Sequence, residues 1–169
     1  MRIRHAVLVG ASVLTAAVLS GCTVPVGGST GISVTEDGRP VGVLAVCDDR
    51  IDGATLYVDS KKKRDDTRGT WSRKRPVTGL ATWTLDSPGK GWSTDEAMAP
   101  LEPHRTYHLY GWTRDNSSST AHVSFTRSQL DNLRPGQVRY FAGEVAGADR
   151  EGFRTVPLED FRSEACEED

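Results

Sequence analysis

Short apolar runs alternate with polar, turn-forming clusters along most of the chain, and their length and β-branched content predict strands rather than helices. Gly31 to Thr35 (GISVT) alternates and leads into a turn at Glu36-Asp37-Gly38-Arg39-Pro40. Val41 to Cys47 is rich in β-branched residues and of strand length, and Ala54 to Val58 reads as the next strand. Between them, Asp48, Asp49, Arg50, Asp52 and Gly53 supply turn chemistry. Residues 59–77 are charged, with a short strand expected around Trp71. Leu80 to Leu85 alternates again, with Ala81, Trp83 and Leu85 on one face, and residues 86–100 read as a loop containing Trp92. Thr106 to Thr113 (TYHLYGWT) is the clearest strand. The polar turn Asp115-Asn116-Ser117-Ser118-Ser119 joins it to Thr120–Phe125 as a hairpin. Thr126 is an N-cap candidate for a short helix, Arg127 to Leu133, which Pro135-Gly136 ends. Gln137 to Phe141 makes a last strand, Gly143 to Gly152 looks loose, and Phe153, Val156, Leu158 and Phe161 give the tail apolar groups to dock.

About seven short strands separated by turns, with one short helix, predict an all-β chain folded as an antiparallel sandwich. Leu101-Glu102-Pro103-His104-Arg105-Thr106-Tyr107 resembles the L-x-P-x-x-x-Y stretch that precedes one strand of fibronectin type III domains, within the wider immunoglobulin-like class. That resemblance covers seven residues. It implies that the Tyr107 hydroxyl bonds to backbone a few residues upstream. It also implies that the following strand buries Tyr107, Leu109 and Gly111 and exposes His108, Tyr110 and Trp112.

The N-terminus has a different pattern. Met1-Arg2-Ile3-Arg4-His5 is a short basic segment, and Ala6 to Ala17 is apolar or small without a charge. Leu19-Ser20-Gly21-Cys22 follows. A basic start, an apolar stretch and a small-residue cleavage site make a secretory signal, and the stretch is shorter than the roughly 20 residues a spanning helix needs. The Leu-Ser-Gly-Cys sequence resembles the bacterial lipobox. In that family a diacylglyceryl group is attached to the cysteine thiol and the peptide is cut just before it. The alternative is an ordinary signal peptide that happens to carry a cysteine. Residues 1–21 are therefore read as signal peptide, 22–30 (CTVPVGGST) as a flexible tether, and 31–169 as the β domain with its C-terminal tail. The resemblance extends to secreted lipoproteins of high-GC actinobacteria. It implies a lipid-anchored chain on the outer face of the cell membrane, and no activity.

Net charge is −2, and loss of Arg2 and Arg4 with the signal makes the remainder more acidic, which disfavours nucleic acid as a partner. Basic runs at Lys61-Lys62-Lys63-Arg64 and Arg73-Lys74-Arg75 read as solvated loops, with contact to anionic headgroups or wall polymers as the functional alternative. Cys47 and Cys166 remain once Cys22 is lipidated. An even pair in an exported chain reads as a disulfide, with two free thiols as the alternative. It would pin the acidic tail (SEACEED) to an early strand, closing a loop of roughly 120 residues that the chain-entropy model values at about 4–5 kcal/mol.

No G-x-S-x-G, H-E-x-x-H, Walker A or G-x-G-x-x-G pattern occurs. His108 and His122 are expected to face each other across the hairpin, but a metal site needs a third ligand, for which Asp115 and Glu102 are only guesses. Asp48, Asp49 and Asp52 lack the alternating spacing that wraps Ca²⁺. No metal or cofactor is expected. The candidate binding surface is aromatic: His108, Tyr110 and Trp112 on one strand face, with His122 beside them. Such a row stacks on sugar rings or anchors a protein partner, unless residues 59–77 or the tail cover it as ordinary core. The sequence thus favours a noncatalytic binding or interaction module outside the cell. A small extracellular hydrolase acting on cell-wall or other polymer is the alternative.

Overall fold

The computed structural model describes residues 23–59 and 66–167. The signal segment 1–21, the lipidation candidate Cys22 and the Lys61–Arg64 run lie outside the described residues. The remainder is mostly β: β1 (Val26–Val34), β2 (Pro40–Val58), β3 (Asp66–Thr84), β4 (Trp92–Glu96), β5 (Thr106–Trp112), β6 (Ser119–Ala121), β7 (Val123–Thr126), β8 (Gln137–Phe141) and β9 (Phe153–Pro157). Two helices, α1 (Arg127–Asp131) and α2 (Leu158–Cys166), complete it.

The nine strands share one hydrogen-bonded sheet. β2 is its spine. Its first half pairs with β1 and its second half with β5, while β3 runs along its other edge. β5 pairs with β6 and β7, and β6 returns to β1 in parallel. The pairings β1–β2–β5–β6–β1 therefore close a ring.

Where the sequence reads two strands separated by a turn, β2 is one strand of 19 residues. Val46 pairs with Gly79 and Ile51 with Val77, so β2 carries extra residues there that β3 does not match. They form a bulge with Asp49 at φ 59°. β3 is just as long and bulges in turn between Ser72 and Val77, at the basic Arg73-Lys74-Arg75. Turn-type residues are present as expected, but the chain spends them on re-aiming a strand rather than reversing it.

The unbroken apolar run in β2 follows from burial on both faces. Leu44 and Val46 enter the main core with Ile32, Leu56, Trp71, Tyr107, Leu109 and Phe125. Val43 and Ala45 face the other way, into a smaller core with Val138, Tyr140, Val156 and Phe161. α2 covers this second core with Leu158, Phe161 and Ala165, one helical face. Phe161 is fully buried there, which stabilises by about 1.5–3 kcal/mol. The Cys47–Cys166 disulfide forms, joining the end of α2 to the β2 bulge across a Cα–Cα distance of 5.4 Å.

The described residues form nine strands and two helices where about seven strands and one helix were expected, and four further sequence expectations need correction. β1 starts at Val26, inside the segment read as tether, and Ser29 and Thr30 are buried. Trp92–Glu96 is a strand rather than loop because Trp92 stacks on Trp83 at 4.4 Å and draws its neighbours onto β3. The tail forms β9 and α2. Gly143 to Gly152 is held by Asp149, which accepts from the Glu151 and Phe153 amides at 3.0 and 2.9 Å and from Arg139 Nη1 at 2.9 Å. Other expectations stand. Thr126 and Gln129 form a reciprocal capping box on α1, and β5 pairs with β7 as a hairpin. The Glu102 amide donates to the Tyr107 hydroxyl at 2.7 Å.

Candidate binding site: an aromatic, hydroxyl-lined groove

Strand alternation produces the site directly. On β5, Tyr107, Leu109 and Gly111 point into the core, which turns His108, Tyr110 and Trp112 outward. On β2 beside it, Ala54, Leu56 and Val58 are buried, which turns out Thr55 and Tyr57. The register sets Thr55 opposite Tyr110 and Tyr57 opposite His108, with Thr67 of β3 opposite Tyr57. β6 then contributes Thr120, and His122 follows it. Thr55, Tyr57, Thr67, Tyr110, Thr120 and His122 enclose a groove of about 270 Å³.

The rings touch one another. Tyr57 and His108 stack at 5.0 Å, Tyr57 and Tyr110 meet edge to face at 5.8 Å, and His108 and His122 meet edge to face at 5.5 Å. Such pairs each contribute about 0.5–1.5 kcal/mol beyond their buried area, so the rings are fixed relative to one another. Hydrogen bonds fix them further. His108 Nδ1 is 2.8 Å from the Ser124 hydroxyl, and the Asp59 carboxylate lies 3.3 Å from His108 Nε2, off the line of a hydrogen bond. The Thr120 hydroxyl accepts from the Gly111 amide at 2.7 Å. Burial first, then the neighbouring His108, hold the His122 imidazole below its ordinary value of 6.5, and Asp59 opposes them. The outer side of the His122 ring meets solvent.

All four residues of the expected surface therefore come together, though in unequal parts. Tyr110 and His122 line the groove, and His108 buttresses it through Tyr57. Trp112 stands behind it. Its Nε1 donates to Thr55 Oγ1 at 2.9 Å, and its ring lies over Gly53, where a Cβ would fall 2.4 Å from Trp112 Cζ2. The strand face is half-buried rather than open. The tail does not cause this, since α2 packs on the second core; the flanking side chains of β2 and β3 do. Thr55, Tyr57, Thr67 and Thr120 were not foreseen. The period-two pattern of Ala54 to Val58 was the available signal for Thr55 and Tyr57.

Other candidate chemistry disperses. Among the described residues, no three His, Cys, Asp or Glu side chains converge as a metal site would. Asp48 and Asp49 are exposed in the bulge, while buried Asp52 is taken by Arg114, accepting from its amide at 2.9 Å and from Nη1 at 3.3 Å. Asp52 is the buried carboxylate among the described residues. A larger hollow of about 470 Å³ lies by Tyr140, Phe141 and Val145; of its charged residues, Arg154 and Glu164 are bound to each other, and Glu167 lies at its edge. Arg73 lies over the Trp92 ring at 5.2 Å, and its carbonyl accepts from Arg114 Nη2 at 2.8 Å, so that basic run is partly built into the β3 bulge.

Comparison with family models, curated proteins and solved structures finds no match to the chain.

Proposed function

We propose that this protein is a lipid-anchored module on the outer face of the cell membrane, noncatalytic, that binds a partner outside the cell through the groove between β2 and β5. The observation that carries the reading is the lining itself. Interlocked rings and threonine hydroxyls meet there, and no carboxylate is among the described lining residues. Such a lining provides stacking area and hydrogen bonds, the equipment for binding rather than for moving protons or electrons. The anchor rests on Leu19-Ser20-Gly21-Cys22 and the basic and apolar segments before it. Two acyl chains hold a protein to a bilayer stably, where one is marginal. We read the rolled sheet as a variant of the immunoglobulin/fibronectin type III sandwich, supported by the Tyr107–Glu102 bond and the alternation that follows it in β5.

Two measurements test this. Mass spectrometry of the mature N-terminus is expected to find diacylated Cys22, and Cys22→Ala is expected to leave the membrane fraction. An unmodified N-terminus, or a variant that stays on the membrane, sinks the anchor. Binding of the full chain to isolated cell envelopes is expected to fall in His122→Ala, and unchanged binding refutes the groove.

A further inference from the structure

We infer that the β3 bulge, Arg73-Lys74-Arg75, rests on the phosphate headgroups of the membrane that carries the anchor; this rests on the lipid-anchor reading above and adds a second, noncovalent contact with that membrane. Two independent observations meet at one end of the sheet. The first is the length of the link. Acylation on Cys22 leaves Thr23, Val24 and Pro25 before β1 begins at Val26. Val24 is already half-buried, and the Pro25 carbonyl accepts from the Ser119 amide at 2.9 Å. The three Cα–Cα steps from Cys22 to Pro25 reach about 11 Å at most. The end of the sheet where β1 begins is thereby held close to the lipid surface. Val26, the first residue of β1, is 64% exposed there.

The second is what that end carries. β1 and β3 flank the first half of β2 and run in the same direction, and Gly28 and Gly79 both pair with Val46. Those two glycines stand two strand spacings apart, about 10 Å. Counting back along each strand from them sets the residues before Val77 level with the start of β1. There β3 leaves its register with β2, between Ser72 and Val77, and Lys74 and Arg75 are exposed. The β2 bulge belongs to the same end, since a Cβ on Gly27 would fall 2.9 Å from the Asp48 carbonyl oxygen. The turn after β5 joins it through Arg114, whose Nη2 donates to the Arg73 carbonyl at 2.8 Å.

Charge fits the surface that the link brings near. Arg50 holds Asp49 and Asp115 at 3.4 and 3.1 Å, and Arg114 holds Asp52 at 3.3 Å. Asp48 is exposed beside them, and the disulfide brings Glu167 toward the same end. Lys74 and Arg75 are the exposed cations of the bulge, and an ammonium or guanidinium donates readily to phosphate oxygens. Each basic residue at an anionic bilayer strengthens attachment about fivefold. The acidic neighbours weaken that attraction. The contact therefore needs both the cations and the short link that keeps them at the surface.

The test reads hydrogen exchange of the mature chain, its acylation checked by mass spectrometry, in vesicles of phosphatidylcholine alone or mixed with phosphatidylglycerol. The amides of Arg73–Arg75 are expected to exchange at least about fivefold more slowly with phosphatidylglycerol than without it. The Thr35–Arg39 turn, beyond the far end of β1, is expected to exchange alike in both. A Lys74→Gln, Arg75→Gln double variant, changed only at exposed positions, is expected to lose the difference. So is the parent chain in about 1 M salt, where screening shortens to about 3 Å. A flexible insert of about twenty Gly and Ser residues between Cys22 and Thr23 is expected to leave the chain on the vesicle and remove the slowing. An acylated chain whose bulge exchanges alike in both vesicles overturns the headgroup contact and leaves the anchor standing. Slowing at Thr35–Arg39 in place of the bulge overturns it as well, by turning the other end to the membrane. An unmodified Cys22 removes the anchor, and the inference falls with it.

Discussion

The Tyr107 hydroxyl accepts a 2.7 Å hydrogen bond from the amide of Glu102, tying the start of β5 to the loop that enters it. Tyr107 is buried and stacks on Phe125 of β7 at 5.9 Å, so its ring is core while its hydroxyl reaches the edge. Tyr107→Phe keeps the ring and removes the bond. Denaturant unfolding should show a loss of about 0.5–1.5 kcal/mol, the net worth of an ordinary hydrogen bond. A variant as stable as the parent would show that the bond contributes nothing.

The disulfide fastens α2 over the second core, so removing it acts on one element first. In a Cys47→Ser, Cys166→Ser double variant, stability should fall by up to about 4–5 kcal/mol, the chain-entropy value for so long a loop. Hydrogen exchange should quicken in Leu158–Cys166 well before the β5–β7 hairpin, because α2 packs through few groups besides Phe161. Uniform quickening through the whole sheet would mean that α2 is not a separable unit.

What could be read beforehand divides along physical lines. β5 was legible because one face is core and the other is not, and alternation at Tyr107–Trp112 records that difference. α1 was legible because Thr126 offers an N-cap, although the helix ends at Asp131, short of the Leu133 expected from the Pro135-Gly136 break. β2 was not legible as one strand, since Asp48–Arg50 carries the same residue types whether the chain reverses or bulges. β4 was hidden because one buried side chain, Trp92, holds an otherwise exposed segment. α2 follows Pro157 without a side-chain cap, so its start carries no local signal beyond the acidic Glu159 and Asp160. The groove was half legible for a similar reason. The outward residues of β5 could be listed, but the partner strand that turns them into a groove is set by long-range register between β2 and β5.

Gly53 holds the wall behind the groove. A Cβ there would come within 2.4 Å of the Trp112 ring and 2.5 Å of the Trp71 carbonyl oxygen, and the backbone oxygen cannot step aside cheaply. Gly53→Ala should cost about 1–3 kcal/mol by overpacking. It should also part Trp112 Nε1 from Thr55, visible as a shift of the Trp112 indole N–H signal in NMR. An unshifted indole signal would mean that the Trp112–Thr55 contact does not depend on the bare glycine.

Acid should act on two sites through opposite chemistry. Asp149 feels burial, which alone would raise it, but the Phe153 amide, Arg139 and the Glu151 amide outweigh that and hold its carboxyl below the usual value. Its contribution is present above the ordinary carboxylate range and is lost as pH falls through the lowered value. Asp149→Ala should cost about 1–3 kcal/mol at neutral pH, because Arg139 is nearly buried and loses an acceptor.

His122 titrates higher. Its folded value is lowered from 6.5, so the unfolded chain binds a proton before the folded one does. Its neutral form is tolerated fully above 6.5, and stability falls as pH drops through 6.5 toward the lowered value. His108, Asp59 and Ser124 are the groups around this pair, and Asp59 moderates the effect by favouring the charged ring. Melting temperatures measured at about pH 7.5 and about pH 5.5 should therefore fall less in His122→Gln than in the parent chain. An equal fall in both would mean that the imidazole is not strained by its place in the groove. A larger fall in the variant would reverse the sign of the argument, making the protonated ring the stabilising form.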